Sequence, residues 1–327
     1  MKHHTVWVGG LLLTMASLSA QAQPWDLTKP VEVTTTSGDG IFHHLESSGR
    51  RNIAVSADTV AVAWEDNRDG TPRIYLARKD RKAEGFSAET KISGKGEAYE
   101  PSLVALDDNR FVLAWEEAAR IHARLVTPAG LGPVVILDDS NAIQASLATH
   151  DQQLLLVYSQ RKARYGRIWL QHLEVDGLTL HPTQRCALDA EPAKDDQLYP
   201  TAVSLGDRTI VAWEDRRPGH TIIMAAQNIN QEPCRFSPPQ RISERPPGPR
   251  TPYGKGHGVA RVVLNRYGPN RVLAVWADKR DFREGYDIYA ADYQTGNKTS
   301  FGPNVKVQDT FGGFAQQWHA TVAGHPS

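Results

Sequence analysis

The chain has no excess of either charge: Lys+Arg and Asp+Glu number 37 each in 327 residues. Nucleic acid is therefore excluded as the main partner, because binding phosphates requires a basic face. Methionine is scarce and cysteine scarcer, at three and two residues. Cys186 and Cys234 alone cannot complete a zinc site. In an exported chain they are free to form one disulfide, the alternative being two buried thiols. Metal signatures are missing as well. His43, His44, His319 and His325 lack metal-site spacing and carboxylate company. In the turn that holds Asp66, Arg68 and Gly70, an arginine stands where a calcium ligand belongs. SGKGEA (93–98) and YGKGHG (253–258) lack the phosphate-loop spacing. No cofactor is expected. No stretch keeps a helical period, and outside the N-terminus no run approaches ~18 apolar residues, so no membrane span is expected.

What is present begins with an export signal. Lys2 precedes an apolar stretch from Val6 to Leu18, and Ala20-Gln21-Ala22 is an A-x-A cleavage site. The expectation is a signal peptide at 1–22 and a mature chain from Gln23, secreted or periplasmic. The alternative is a buried N-terminal strand or helix.

The rest of the chain is a repeat. TVAVAWEDNRDGTPRIYLAR (59–78) is echoed by RFVLAWEEAARIHARLV (110–126), QLLLVYSQRKARYGRIWLQHL (153–173), RTIVAWEDRRPGHTIIMAAQ (208–227) and RVLAVWADKRDFREGYDIYAADY (271–293). The anchoring aromatics are Trp64, Trp115, Tyr158, Trp213 and Trp276. A strand-like piece precedes each copy (52–56, 101–106, 145–150, 200–205, 260–264). Two more strands follow, the last at 86–93, 132–138, 184–189, 236–243 and 301–308. Short β-branched and aromatic runs between turn signals spell an all-β chain. Four-strand units repeated at this interval are the blades of a β-propeller. In AVAWE, Ala61 and Ala63 face one side and Val62 and Trp64 the other, so the tryptophans read as blade-to-blade core.

The blades run approximately 50–94, 100–139, 143–190, 198–243 and 255–309. QWHATVAG (317–324) aligns with YEPSLVAL (99–106) as a first strand, and 25–35 resembles a fourth. The expectation is a single domain over 23–327, with five complete four-stranded antiparallel blades and a partial sixth built from both termini (316–327 with 25–35). The alternative is a five-bladed ring with loose ends. Unpaired strand edges near that seam would offer a surface for self-association.

The W-x-D-x-R-x-G…I-Y repeat resembles the secreted bacterial β-propeller repeats of the sialidase-like superfamily, over residues 25–327. The resemblance implies the propeller architecture. RRNIA (50–54) stands near the place of the sialidase R-I-P, and S-x-D-x-G-x-x-W is absent. No arginine triad or nucleophile pair carries over to particular positions.

The shared residues invite a structural reading. Asp66, Asp215 and Asp278 can each close a turn through backbone N–H groups, with Arg68, Arg217 and Arg280 pairing to them. On a partly exposed turn such a pair is worth about 0–1 kcal/mol. A hydrolytic centre needs unlike residues converging on one bond, which a repeated set cannot supply. Ligand binding therefore points to the propeller face where turns and blade linkers gather. That face would carry Asp66, Arg68, Glu117, Arg120, Arg161, Asp215, Arg217, Tyr253, His257, Asp278 and Arg280 as candidate ligand-binding residues. Linkers would add Arg51, Tyr99, Glu100, Tyr199, Trp318 and His319. AWEEAAR keeps its acids while VYSQRKAR has become basic, so opposed charge could grip a polar ligand. The expected function is non-catalytic recognition of a glycan or protein. A sialidase-like hydrolase and a degenerate, mainly structural propeller are the alternatives.

Overall fold

The computed structural model describes residues 29–45, 51–107, 109–137, 140–151, 153–190, 194–229, 231–245, 258–280, 285–295, 301–307 and 316–324. Among them there is no helix. The signal segment expected at 1–22 lies outside the described residues, as do Tyr253 and His257.

Five antiparallel sheets follow one another along the chain. The first holds β1 (His43–His44), β2 (Ile53–Val55), β3 (Thr59–Asp66), β4 (Arg73–Asp80) and β5 (Thr90–Lys91). The second holds β6 (Ala98–Ala105), β7 (Phe111–Glu117), β8 (Arg120–Thr127), β9 (Gly130–Leu131) and β10 (Val135–Ile136). The third is β11 (Ala142–His150), β12 (Gln153–Arg161), β13 (Gly166–Asp176) and β14 (Thr179–Ala187). The fourth is β15 (Gln197–Ser204), β16 (Thr209–Asp215), β17 (Ile222–Gln227) and β18 (Gln240–Arg241). The fifth is β19 (Val259–Gly268), β20 (Arg271–Asp278), β21 (Asp287–Gln294) and β22 (Val305–Lys306). Successive meanders of this kind, each packed on the next, are propeller-type construction.

The anchor aromatics drive that packing. Trp64, Trp115, Tyr158, Trp213 and Trp276 are all at most 2 % exposed. Trp115 packs with Ala61 and Ala63 of the preceding sheet, Tyr158 with Ala114, and Trp276 with Ala212. Small residues on one face thus make room for the next sheet's ring. Trp64 has no preceding sheet and is covered in part by Val33 and Phe86. At the other end, Ala320 and Val322 cover Val263, Val275 and Ala290 of the fifth sheet.

Two expectations need correction. Fourth strands are mostly two-residue ladders, because an outermost strand has one free edge and several of these carry prolines (Pro133, Pro238, Pro239, Pro303) that cannot donate to it. In the third sheet Pro182 falls at a register irregularity, and β14 keeps nine residues. The first strand of the first sheet is divided: β1 pairs with the end of β3, and β2 with its middle. The partial sixth blade is not a sheet among the described residues. Residues 29–35 and 316–324 enter no ladder among the described residues.

Candidate binding site

The acidic turns are locks. Trp64 donates its indole N–H to Asp66 at 3.2 Å, Trp213 to Asp215 at 3.1 Å and Trp276 to Asp278 at 2.9 Å. The backbone N–H two residues on, at Arg68, Arg217 and Arg280, bonds the same carboxylate at 2.8, 3.0 and 2.8 Å. The guanidinium of that arginine then closes on it at 2.5, 2.7 and 2.6 Å. All three carboxylates are at most 2 % exposed, so the partly exposed turn expected from the sequence is corrected. The reason is register: the aspartate is the last paired residue of its strand, on the same face as the tryptophan and below its ring. Burial pushes the Asp66 carboxyl up, but hydrogen bonds from Arg68 and Trp64 outweigh it and hold the group below the ordinary carboxylate range. Arg68 also bonds Glu89, Arg217 also bonds Asp189, and Arg280 also bonds Asn304.

The worn copies are built differently. Trp115 donates to Glu117 at 2.9 Å, and this carboxylate crosses to the backbone N–H groups of Gly94 and Gly96 at 3.2 and 3.0 Å. The glycines of SGKGEA therefore cradle the protein's own anion, and a Cβ on Gly96 would lie 2.8 Å from a Glu117 oxygen. Ala118 and Ala119 close the hairpin at φ 53° and 57°, a conformation that favours glycine or asparagine. Arg120 is exposed beside them. In the third sheet Gln160 replaces the aspartate and accepts from Arg185 at 2.6 Å. Arg161 is exposed and paired with Asp196 at 2.9 Å. Among the described candidates, the three aspartates and their arginines serve their own turns, Glu117 holds the loop leading into its own sheet, and Arg161 pairs with Asp196. Cys186 and Cys234 are bonded to each other, joining β14 to the loop before β18 with Cα atoms 4.9 Å apart.

A second repeated device escaped the sequence reading. The first strands of sheets two to five share a register shift at Tyr99/Ser102, Ile143/Ser146, Leu198/Thr201 and Ala260/Val263. Within each shift one residue is left-handed: Glu100, Gln144, Tyr199 and Arg261, with φ 57°, 61°, 49° and 61°. His319, at φ 57°, has the same conformation before Ala320 and Thr321. This aligns His319 with Glu100, one residue from the alignment expected above. The glutamate that follows Trp64, Trp115 and Trp213 holds the bulge of the next sheet. Glu65 accepts from Glu100 N at 2.6 Å, Glu116 from Gln144 N at 2.5 Å, and Glu214 from Arg261 N at 2.8 Å. The third sheet has Ser159 in that place, and the Gln144 carboxamide substitutes by accepting from Tyr199 N at 2.8 Å. Trp-Glu in three copies is the signal that could have revealed this contact.

The bulges place unlike side chains at equivalent positions: Glu100, Gln144, Tyr199, Arg261 and His319. The Arg261 guanidinium lies 3.4 Å from the centre of the Tyr199 ring. Burial pushes the Glu214 carboxyl up, and burial together with the charges of Glu214 and Asp278 raises Tyr286. Trp318 packs on Tyr286 with ring centres 3.8 Å apart and the planes tilted by 35°. Beside these strands lies a cavity of about 650 Å3, walled by Arg51, Ile53, Val55, Leu103, Asn265 and the segment 319–323. Arg51 spans it to donate to the Leu264 carbonyl at 3.1 Å and to Asn265 at 3.3 Å, and burial lowers its pKa.

No family model and no curated protein matches the chain. Among solved structures, a Hadza microbial sialidase is similar at 9 % identity and TM-score 0.49, over 81 % of this chain and 58 % of that one. The catalytic domain of a Coprinopsis cinerea GH62 α-L-arabinofuranosidase is similar at 9 % identity and TM-score 0.41, over 76 % of this chain and 88 % of that one. A Mycobacterium tuberculosis puromycin-hydrolyzing peptidase is similar at 11 % identity and TM-score 0.44, over 79 % and 39 %.

Proposed function

We propose that the chain is an exported β-propeller, with five blades and terminal segments along its seam, that recognises a glycan or protein ligand without catalysis. Residues 1–22 act as the signal peptide, and 23–327 form the mature domain. The ligand sits at the end of the blades where the bulges lie. One observation carries this reading: the repeated carboxylates are consumed by indole, backbone and guanidinium donors, whereas the bulges hold five unlike polar or aromatic side chains. Left-handed non-glycine residues are strained, and such strain clusters where a side chain must be aimed. A glycan array probed with the mature chain tests it. Binding that Tyr199→Ala weakens at least about tenfold, roughly 1.4 kcal/mol, supports the reading. Binding unchanged by Tyr199→Ala and Arg261→Ala opposes it.

A hydrolase reading has one observation in its favour. Glu214 is buried with a raised pKa, as a general acid requires. Release of a fluorophore from sialyl or arabinosyl glycosides, abolished in Glu214→Gln, would establish that reading in place of recognition alone.

A further inference from the structure

We infer that the third sheet carries a separate anion-binding cleft for an acidic sugar, one bearing a carboxylate or a sulfate. The cleft has a volume of about 320 Å3 and is walled by Gln160, Lys162, Arg164, Tyr165, Arg167 and Trp169. That is the lower end of the usual ligand-site range, with room for one or two sugar rings. Its chemistry follows from what this copy of the repeat lost. In the first, fourth and fifth sheets the turn arginine is neutralised by the buried aspartate of its own turn. Here Gln160 stands in the aspartate's place, and its oxygen is taken by Arg185. The turn has meanwhile gained Lys162 and Arg164, and Arg167 follows at the start of β13.

Among the described residues, two of these cations have no carboxylate paired to them. One terminal nitrogen of Arg167 is buried without any hydrogen-bond acceptor. Arg164 is exposed and lies 5.1 Å from the centre of the Tyr165 ring, with no carboxylate on it among the described residues. Guanidinium groups match planar carboxylate and sulfate oxygens in paired hydrogen bonds. Trp169 carries Arg185 at 3.8 Å over its ring, so that ring is fixed and flanks the cleft beside Tyr165. Aromatic edges beside cations suit a ring that has one apolar face and one acidic group. The chain's zero net charge argues against a long polyanion such as nucleic acid.

The test is titration calorimetry of the mature chain with polygalacturonate oligomers and chondroitin sulfate oligomers, and with neutral galactan oligomers as the control. The expected result is binding of at least one acidic set and not of the neutral set. It should weaken steeply with salt and fall at least about tenfold in Arg164→Ala and in Arg167→Gln. Arg164 is exposed, so Arg164→Ala should keep the parent melting temperature and remain informative if Arg167→Gln does not fold. Preference between the acidic sets identifies the oxyanion. Equal binding of neutral and acidic oligomers, no binding of either, or binding unchanged in Arg164→Ala would overturn the assignment. Tyr199→Ala serves as the separating control. A loss there that spares the acidic oligomers concerns the bulges and leaves the cleft standing.

Discussion

The turn of the fourth sheet and that of the third occupy equivalent places and meet opposite fates. In the fourth, Asp215 is wholly buried and receives Trp213, the Arg217 backbone and the Arg217 side chain. In the third, Gln160 stands in the aspartate's place and is held from another strand, and the turn's cations open into a cleft. The same strand ending can be spent on rigidity or on recognition. A buried charge has to be fully satisfied, and once it is, nothing remains to meet a ligand.

The largest effect should come from breaking the lock. Asp215→Ala leaves an indole, a backbone N–H and a guanidinium without their acceptor, and should cost about 3–5 kcal/mol in urea unfolding. Arg161→Gln, at the corresponding turn of the third sheet, should cost under about 1 kcal/mol, because its pair with Asp196 is exposed. Reduction of Cys186–Cys234 should come next, lowering stability by roughly 2–4 kcal/mol through the freed unfolded chain while leaving ligand binding intact. The second-sheet hairpin gives a smaller change of opposite sign. Ala118→Gly should stabilise by about 0.5–1 kcal/mol, since alanine is strained at positive φ.

The pH dependence should divide along the same line, and its effect is the smallest. Asp66 and Glu89 sit below their ordinary values. They contribute stability that is complete above the ordinary carboxylate range and is lost as pH falls through their lowered values. Glu214 is raised by burial, so its sign is reversed. Its ionisation costs nothing below the ordinary carboxylate pKa, and the penalty grows as pH rises from there through its raised value. Glu214→Gln should therefore gain stability relative to the parent as pH rises above the ordinary carboxylate range, whereas the deficit of Asp66→Asn should be complete above that range and shrink as pH falls below it. Unfolding curves at several pH values check both slopes.

Much of this was legible in the sequence. Five aromatics in register, alanines on the opposite face and the Asp–Arg spacing led to stacked four-stranded sheets. What stayed hidden was conformation that residue type does not encode. Glu100, Gln144, Tyr199 and Arg261 have no side-chain chemistry in common. Their left-handed backbone is held by an acceptor from the sheet before, a contact between residues 28 to 55 positions apart. The burial of Asp66, Asp215 and Asp278 was also missed. A charged turn reads as solvated unless the strand is known to run one pair further.

Thermal melting of Asp215→Asn beside the parent tests the central claim, that the repeated carboxylates hold the structure. The amide keeps the size and removes the charge that the indole, backbone and guanidinium converge on. A loss of about 2–4 °C for each kcal/mol, totalling several degrees, is the predicted result. A variant that melts with the parent would contradict it and return the acidic turns to consideration as a site of chemistry.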